Sequence, residues 1–494
     1  METKKISHYE NQEEFLKSNL GRYSFSKLIY YDNQIASRIQ ERLKLQISNQ
    51  NNISDSWLSD LIPHFKLFKE MQSLKIWLNE NQIGEKSVND LGYSLSFCSN
   101  LKTLTLNLGY NKVGFLGLSG LIQNLSKCQN LEYLCLNLLS ADLIYQFEDN
   151  ILFAFSDFRK LEKLELMICY SNLNQQDMSY IGQSLRNCQN LKTLILYLEQ
   201  NEIGNQEICD LCSGIQTCQN LCSITFCLNF DENGISYLSE MFANLKNLNM
   251  IDLQLNNNVI SSKAASILGS GLSQCQNLTK LLLELNQSQT NNEGLKGLFS
   301  GLSNISNLQN MKLSLKCSEI NSDIASNLGQ LFPKFKRLNV LELDLQSNIG
   351  ENGVMGIVTA LIYVQNLNVL TLNLDNNSIN KEGVSTLCSA ISNCHQLKDL
   401  QISLQNNYIG GEGVAQLLSS LQRCQKLESI AIDVWQNEIG NDVNSISSQL
   451  SKLQKLKFLS FNLECNQIDE IYQQQLKRQA LKLKKLINLV FFAS

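Results

Sequence analysis

The chain repeats itself about every 30 residues, and that period limits its fold more than any other feature. Segments opening LKTLTLNLGYNKVG at Leu101, LEYLCLNLL at Leu131, LEKLELMI at Leu161 and LKTLILYLEQNEIG at Leu191 follow one another at steps of 30. The same opening recurs at Leu221, Leu248, Leu278, Leu308, Leu338, Leu367, Leu397, Leu427 and Leu456, with steps of 29 or 27 among those of 30. An earlier copy starts at Met71, and Leu43, Leu45 and Ile47 mark a degenerate one. A further copy opens at Leu486, Leu489 and Phe491. Roughly 14 good copies fill the chain after residue 70, so the usual expectation of one domain per ~150 residues does not apply.

Each copy reads L-x-x-L-x-L-x-L-x-x-N-x-I-x-x-x-G-x-x-x-L-x-x-x-L-x-x-C-x-N. Leu104, Leu106 and Leu108 alternate, as one apolar face of a short strand does. Leu118, Leu121, Ile122 and Leu125, like Val384, Leu387, Cys388 and Ile391, fall at helical spacing instead. One strand and one helix cannot bury their apolar faces alone, so the copies must stack. The expected fold is therefore an α/β solenoid, with a parallel sheet on one side and helices on the other. Helices are about 10 Å across and strands about 4.8 Å apart, so the stack should curve into a horseshoe with strands on its concave face. Residues 1–38 do not match the repeat and are expected to cap it through Tyr23, Phe25, Leu28, Ile29, Tyr30 and Tyr31. The repeat domain is expected to span 39–494: a degenerate copy at 39–70, regular copies over 71–485 and a truncated C-terminal cap at 486–494.

This pattern resembles the leucine-rich-repeat superfamily, in the helix-containing class typified by ribonuclease inhibitor and by the activating protein of the Ran GTPase. The resemblance covers about the last 85% of the chain and implies a protein-binding horseshoe. Those families read L-x-x-L-x-L-x-x-N, whereas here Leu108 intervenes between Leu106 and Asn111, a strand side two residues longer.

Features that suggest chemistry fall into the same register. The chain has 16 cysteines, and Cys98, Cys128, Cys188, Cys218, Cys275, Cys394 and Cys424 each stand three residues before the next copy. A position repeated in register reads as a packing site for a small buried hydrophobe. Cys209, Cys212 and Cys222 around Cys218 suggest zinc by spacing, but Cys212 occupies the helical position of Ile122 and Leu418. Asn81, Asn111, Asn201, Asn258, Asn377, Asn407, Asn437 and Asn466 each follow a strand, where an amide can satisfy turn backbone. Gly117, Gly294, Gly383 and Gly413 share one position at the helix start, and no Gly-Lys-Ser/Thr follows Gly410, Gly411 and Gly413. His8, His64 and His395 lie far apart in sequence. The expectation is no enzyme, with no catalytic, metal or cofactor site.

Charged residues make up 18% of the chain, with a net charge of −5, which does not suggest a nucleic-acid partner. No apolar run has the length of a membrane span and METKKISHYENQEEF does not read as a signal peptide, so the expected location is the cytoplasm, with no membrane partner. Many unpaired thiols fit a reducing compartment. Partner-binding residues are expected on the concave face, between the leucines. There the N-terminal part offers Trp77, Asn79, Asn107, Cys135, Leu139, Met167, Ile195 and Tyr197, a partly apolar set suited to anchors. Nine acids, Glu165, Glu199, Asp252, Glu284, Glu342, Asp344, Asp375, Asp433 and Glu464, face Lys75, Lys312 and Lys316. An acidic groove attracts a basic partner. The expected function is thus a non-catalytic scaffold for a basic protein. Regulation of a small Ran-like GTPase, a ubiquitin-ligase recognition arm and a structural role in a cytoskeletal or ciliary assembly are the alternatives. The chain's C-terminal KRQALKLKKLINLVFFAS is basic then apolar, unlike the acidic tail of the Ran-activating family.

Overall fold

The computed structural model describes residues 42–46, 55–67 and 69–492, apart from 142, 144–154, 172, 174, 187, 202, 230–231, 317–319, 347 and 442. The expected N-terminal cap, 1–38, lies outside the described residues. The chain forms two compact units, one through Leu221 and one from Cys222. The division falls where the repeat step shortens to 27, between Leu221 and Leu248.

The first unit holds strands β1 (Arg42–Gln46), β2 (Ser73–Trp77), β3 (Thr103–Asn107), β4 (Tyr133–Asn137), β5 (Lys163–Met167) and β6 (Thr193–Tyr197). The second holds β7 (Ser223–Cys227), β8 (Met250–Gln254), β9 (Lys280–Glu284), β10 (Asn310–Ser314) and β11 (Val340–Asp344). It continues through β12 (Val369–Asn373), β13 (Asp399–Ser403), β14 (Ser429–Asp433), β15 (Phe458–Asn462) and β16 (Asn488–Phe492). Within each unit every strand pairs in parallel with the next in chain order. Helices such as Gly114–Leu125 and Lys381–Ser392 connect them.

The alternation read from the sequence sets which side is buried. Leu104, Leu106 and Leu108 are fully buried, while Thr105 and Asn107 between them are half-exposed. Each such leucine contributes about 1.5–3 kcal/mol on burial. Leu118, Leu121, Ile122 and Leu125 bury the inner face of their helix. Helix starts are capped where the sequence allows: Asn291 accepts from the Gly294 N–H at 3.0 Å, and Asn380 from the Glu382 and Gly383 N–H groups. Close helix packing demands small residues. A Cβ on Gly301 would stand 2.2 Å from the Gly269 carbonyl group.

The extra leucine does lengthen the strand side. Ladder bonds run on past the five-residue strand, from Leu108 N–H to Asn137 O (2.8 Å) and from Tyr110 N–H to Leu139 O (2.7 Å). The chain then turns sharply through a left-handed residue. Tyr110 (φ 56°), Tyr170 (53°), Gln200 (56°), Asn376 (59°), Asn406 (52°) and Gln436 (53°) all adopt it, and none is glycine. That conformation costs about 1–2 kcal/mol per residue. The asparagine that follows offsets the cost. Asn407 Nδ2 donates to the Leu404, Gln405 and Leu374 carbonyls, and its Oδ1 accepts from the Asn377 and Ile379 N–H groups of the previous copy. Asn111, Asn437 and Asn466 form equivalent sets. Ser171 takes this position in one copy and donates to Leu138 O at 2.8 Å.

The repeated cysteines are buried, as a packing role requires. Several thiols point back at the previous copy, Cys128 Sγ to Leu95 O (3.4 Å), Cys218 Sγ to Leu185 O (3.3 Å) and Cys424 Sγ to Ile391 O (3.4 Å), while Cys188 and Cys394 turn to Ser184 O and Ala390 O of their own copy. Burial pushes the Cys128 and Cys424 thiols up to about 11 and that of Cys275 to about 12, so they stay protonated and unreactive.

Candidate functional site

Strand residues between the buried leucines share one face of each unit's sheet, and register fixes their neighbours. In the first unit Trp77, Asn107, Asn137, Met167 and Tyr197 form one file across β2–β6. Trp77, Met167 and Tyr197 are half-buried. Lys75, Thr105, Cys135, Glu165 and Ile195 form the adjacent file. Glu165 is occupied there. Tyr133 Oη donates to it at 3.0 Å, and Lys163 Nζ lies 3.5 Å from it and 4.6 Å from the Tyr133 ring centroid. Burial, then the charges of Cys135 and Glu165, raise the Tyr133 hydroxyl well above the usual phenol range. Cys135 is buried, and Glu199 is the unit's remaining expected acid. The unit also buries Asp177 and Glu207 inside its helical layer.

The second unit carries the other seven acids, in two groups. In the first, Lys312 stands between Asp252 and Glu342, separated from Asp252 by Leu282 in the same file. Lys312 Nζ donates to Glu284 Oε1 at 2.6 Å. Burial alone would lower the Lys312 pKa, but Glu284, then Glu342 and Asp252, outweigh it and hold the ammonium above its ordinary value. Glu284 is held below the ordinary carboxylate value: burial works against this, and the bonds from Lys312 and Asn256 prevail. Asp252 is raised, by burial first and by Glu284 second, against the opposing Gln254 bond and lysine charges. This group carries its own cation.

The second group does not. Asp344 and Asp433 lie in one file with Asn373 and Ser403 between them, and Asp375 follows directly beyond β12. Asp375 is 7% exposed and accepts from Ser403 Oγ (2.6 Å) and the Gln405 N–H (2.7 Å). Asp433 accepts from Gln405 Nε2 (2.8 Å), Asn462 Nδ2 (3.1 Å) and the Trp435 N–H (3.0 Å). Asp344 Oδ1 is buried and accepts no hydrogen bond. Every donor here is neutral, and among the described residues none of the three makes an ion pair. Burial raises the Asp375 pKa, and the charges of Asp433 and Asp344 raise it further, against the Ser403 and Gln405 bonds. Among the described residues, no cation bonds to or ion-pairs with any of these three carboxylates. Glu464 stands one copy further along, its carbonyl accepting the Gln436 N–H at 3.2 Å.

Three participants escaped the sequence reading. Trp435, half-buried, lies on the same face two residues beyond Asp433, a position that the strand alternation alone could have supplied. Gln405 bridges Asp375 and Asp433 and has no charge to draw notice. Asp399, whose Oδ1 is buried without a partner, adds an acid at the start of β13. Elsewhere a shallow polar cleft of about 520 Å³ near the starts of β10–β12 is lined by Gln309, Arg337, Asn339, Asn366, Asn368 and Gln396. Among the described residues no group of histidine, cysteine and acidic side chains could hold a metal ion, and no helix is long and apolar enough to cross a membrane.

The repeating strand and helix, the in-order parallel pairing and the buried leucine positions define an α/β leucine-rich-repeat solenoid of about 14 repeats. No family model matches the sequence and no curated protein does. Among solved structures, the chain is similar to one in the crystal structure of a TLR13–ssRNA13 complex, at 16% identity and a TM-score of 0.41. That alignment covers 87% of this chain and 64% of the other, so this chain spans less than two thirds of its length.

Proposed function

We propose that the protein is a non-catalytic scaffold in the cytoplasm that binds a basic protein partner on its strand face, through Asp344, Asp375 and Asp433 with Trp435 beside them. The carrying observation is charge without an ion pair: Asp375 and Asp433 accept only from neutral donors, and Asp344 has a buried, unbonded oxygen. An arginine or lysine reaching this face supplies the missing donors and the missing charge together. Trp435 offers an indole face to the same cation. A polyphosphate backbone meets repulsion here, which favours a basic protein over a nucleic acid. The class of fold supports a binding role, and the helix-containing subclass typified by ribonuclease inhibitor fits the helix that most copies carry.

The test is fluorescence anisotropy of a labelled octa-arginine peptide on the 494-residue chain, with Asp344→Asn/Asp375→Asn/Asp433→Asn as comparison. A loss of at least about tenfold in affinity, with a shallower salt dependence, is expected. Equal affinity in both proteins would remove this face as the site.

A further inference from the structure

The polar cleft near the starts of β10–β12 has a volume of about 520 Å³, within the range of ligand sites. Gln309, Asn339 and Asn368 line it, and each follows the opening leucine of its copy, at the same place in three successive copies. Neighbouring strands lie about 4.8 Å apart, so the three span about 10 Å, the reach of about three residues of extended chain. Arg337 stands among them, and no acid does among the described residues. The Arg337 guanidinium and the adjoining Lys336 ammonium make no ion pair and no hydrogen bond among the described residues. Further along the same edge Glu428 is paired with Lys457 at 2.7 Å, and Asp399 has one oxygen buried.

Helices end at this edge, and a helix C-terminus favours cations whether or not a ligand binds. Lys455 shows that use, its Nζ donating to the Gln425 carbonyl at 3.1 Å. Lys426 Nζ donates to Gln396 Oε1. The side chains of Lys336 and Arg337 have no such employment, although the amides around them hold one another in place. Asn366 Nδ2 donates to the Lys336 carbonyl at 3.0 Å, and Asn368 Nδ2 to Asn339 Oδ1. That leaves the Asn339 and Gln396 amino groups as donors, the Asn366 and Asn368 oxygens as acceptors, and both ends of the Gln309 amide. A guanidinium takes a carboxylate through two parallel bonds. Amides offering donors and acceptors match a peptide main chain, which needs both. A polyphosphate presents acceptors alone and would leave the amide oxygens without partners.

We propose that this cleft binds an extended acidic segment of a partner protein, with a carboxylate on Arg337, a further acid toward Lys336, and main-chain groups on the amides of Gln309, Asn339 and Gln396. The site lies at the starts of the strands, whereas Asp344 and Asp433 stand at strand ends and Asp375 just beyond one. Its ligand carries the opposite charge, so the site stands whether or not the acidic face binds a basic protein.

The probe is fluorescein-labelled hexaglutamate, titrated into the whole 494-residue protein and read by fluorescence anisotropy. Saturable binding that weakens with salt is expected. Arg337→Ala should weaken it at least about tenfold, and Arg337→Lys should restore only part of the loss, because an ammonium lacks the paired donors. The melting temperature should hold in both variants, since the Arg337 side chain is exposed. Gln309→Ala/Gln396→Ala should weaken binding about threefold or more. Arg423→Ala removes the same charge from an exposed position outside the cleft and should stay within about twofold. Absent binding, or equal loss from Arg337→Ala and Arg423→Ala, would overturn the proposal. So would tighter binding of hexauridylate than of hexaglutamate with the same Arg337 dependence, which would make the cleft a nucleic-acid contact.

Discussion

The two units build the same strand face from the same repeat and leave it in different electrical states. In the first, Glu165 is paired with Lys163 and accepts a hydrogen bond from Tyr133, and the file beside it runs through Trp77, Met167 and Tyr197. In the second, Lys312 settles the account of Glu284, Asp252 and Glu342, while Asp344, Asp375 and Asp433 keep theirs open. A count of acidic residues therefore misstates the binding potential of such a face. What matters is which carboxylates lack a cation of their own.

The largest expected effect separates an asparagine turn of the second unit from the serine turn of the first. Asn407→Ala removes an amide that bonds backbone groups in two copies, and should cost about 2–4 kcal/mol in urea unfolding. Ser171→Ala, at the same turn position in the first unit, loses one hydroxyl donor and should cost about 1 kcal/mol. Equal costs would show that the ladder is not what holds the left-handed turn.

Next comes the cation of each unit. Lys312→Met leaves Glu284, Asp252 and Glu342 facing one another, and should destabilise by about 1–2 kcal/mol at neutral pH after allowance for partial solvent screening. Lys163→Met keeps the Tyr133 bond to Glu165, and should cost less than about 1 kcal/mol. If the order reversed, the first unit's acid would be the more dependent on its cation.

A smaller effect tests the open group by pH. The folded state raises the Asp375 pKa above its ordinary 3.8, so ionised Asp375 opposes folding at neutral pH. That penalty fades as pH falls through the raised value toward 3.8. Asp375→Asn, which can still accept from Ser403 and Gln405, should therefore raise the melting temperature slightly at pH 7 and not at pH 3. A lower melting temperature at pH 7 would mean that the carboxylate's charge is already compensated.

Much of the fold was legible because the repeat reports on packing. Leu104, Leu106 and Leu108, the cysteines and the asparagines each recur where burial or turn closure demands them, and the extra leucine announced the longer ladder. The left-handed residue was not legible, because Tyr110, Gln200, Asn376 and Gln436 adopt it without the glycine that usually marks such a turn. At the face, alternation placed Glu165, Asp252, Glu284, Glu342, Asp344 and Asp433 on one side of their strands but did not give their pairing. The Lys163–Glu165 contact could have been read, since two residues apart in a strand means the same face. The Lys312–Glu284 bond could not, because it joins neighbouring strands across two files and depends on where long side chains lean. The division after Leu221 coincides with the shortest step, a signal that a consensus smooths away.

The most direct measurement is the salt dependence of binding to one basic ligand for two charge-reversed proteins. Asp344→Lys/Asp375→Lys/Asp433→Lys should lose at least about a hundredfold in affinity and most of the salt slope, while Glu165→Lys/Glu199→Lys should change affinity by less than about threefold. Equal losses would contradict the account, since the two faces would then attract by total charge alone.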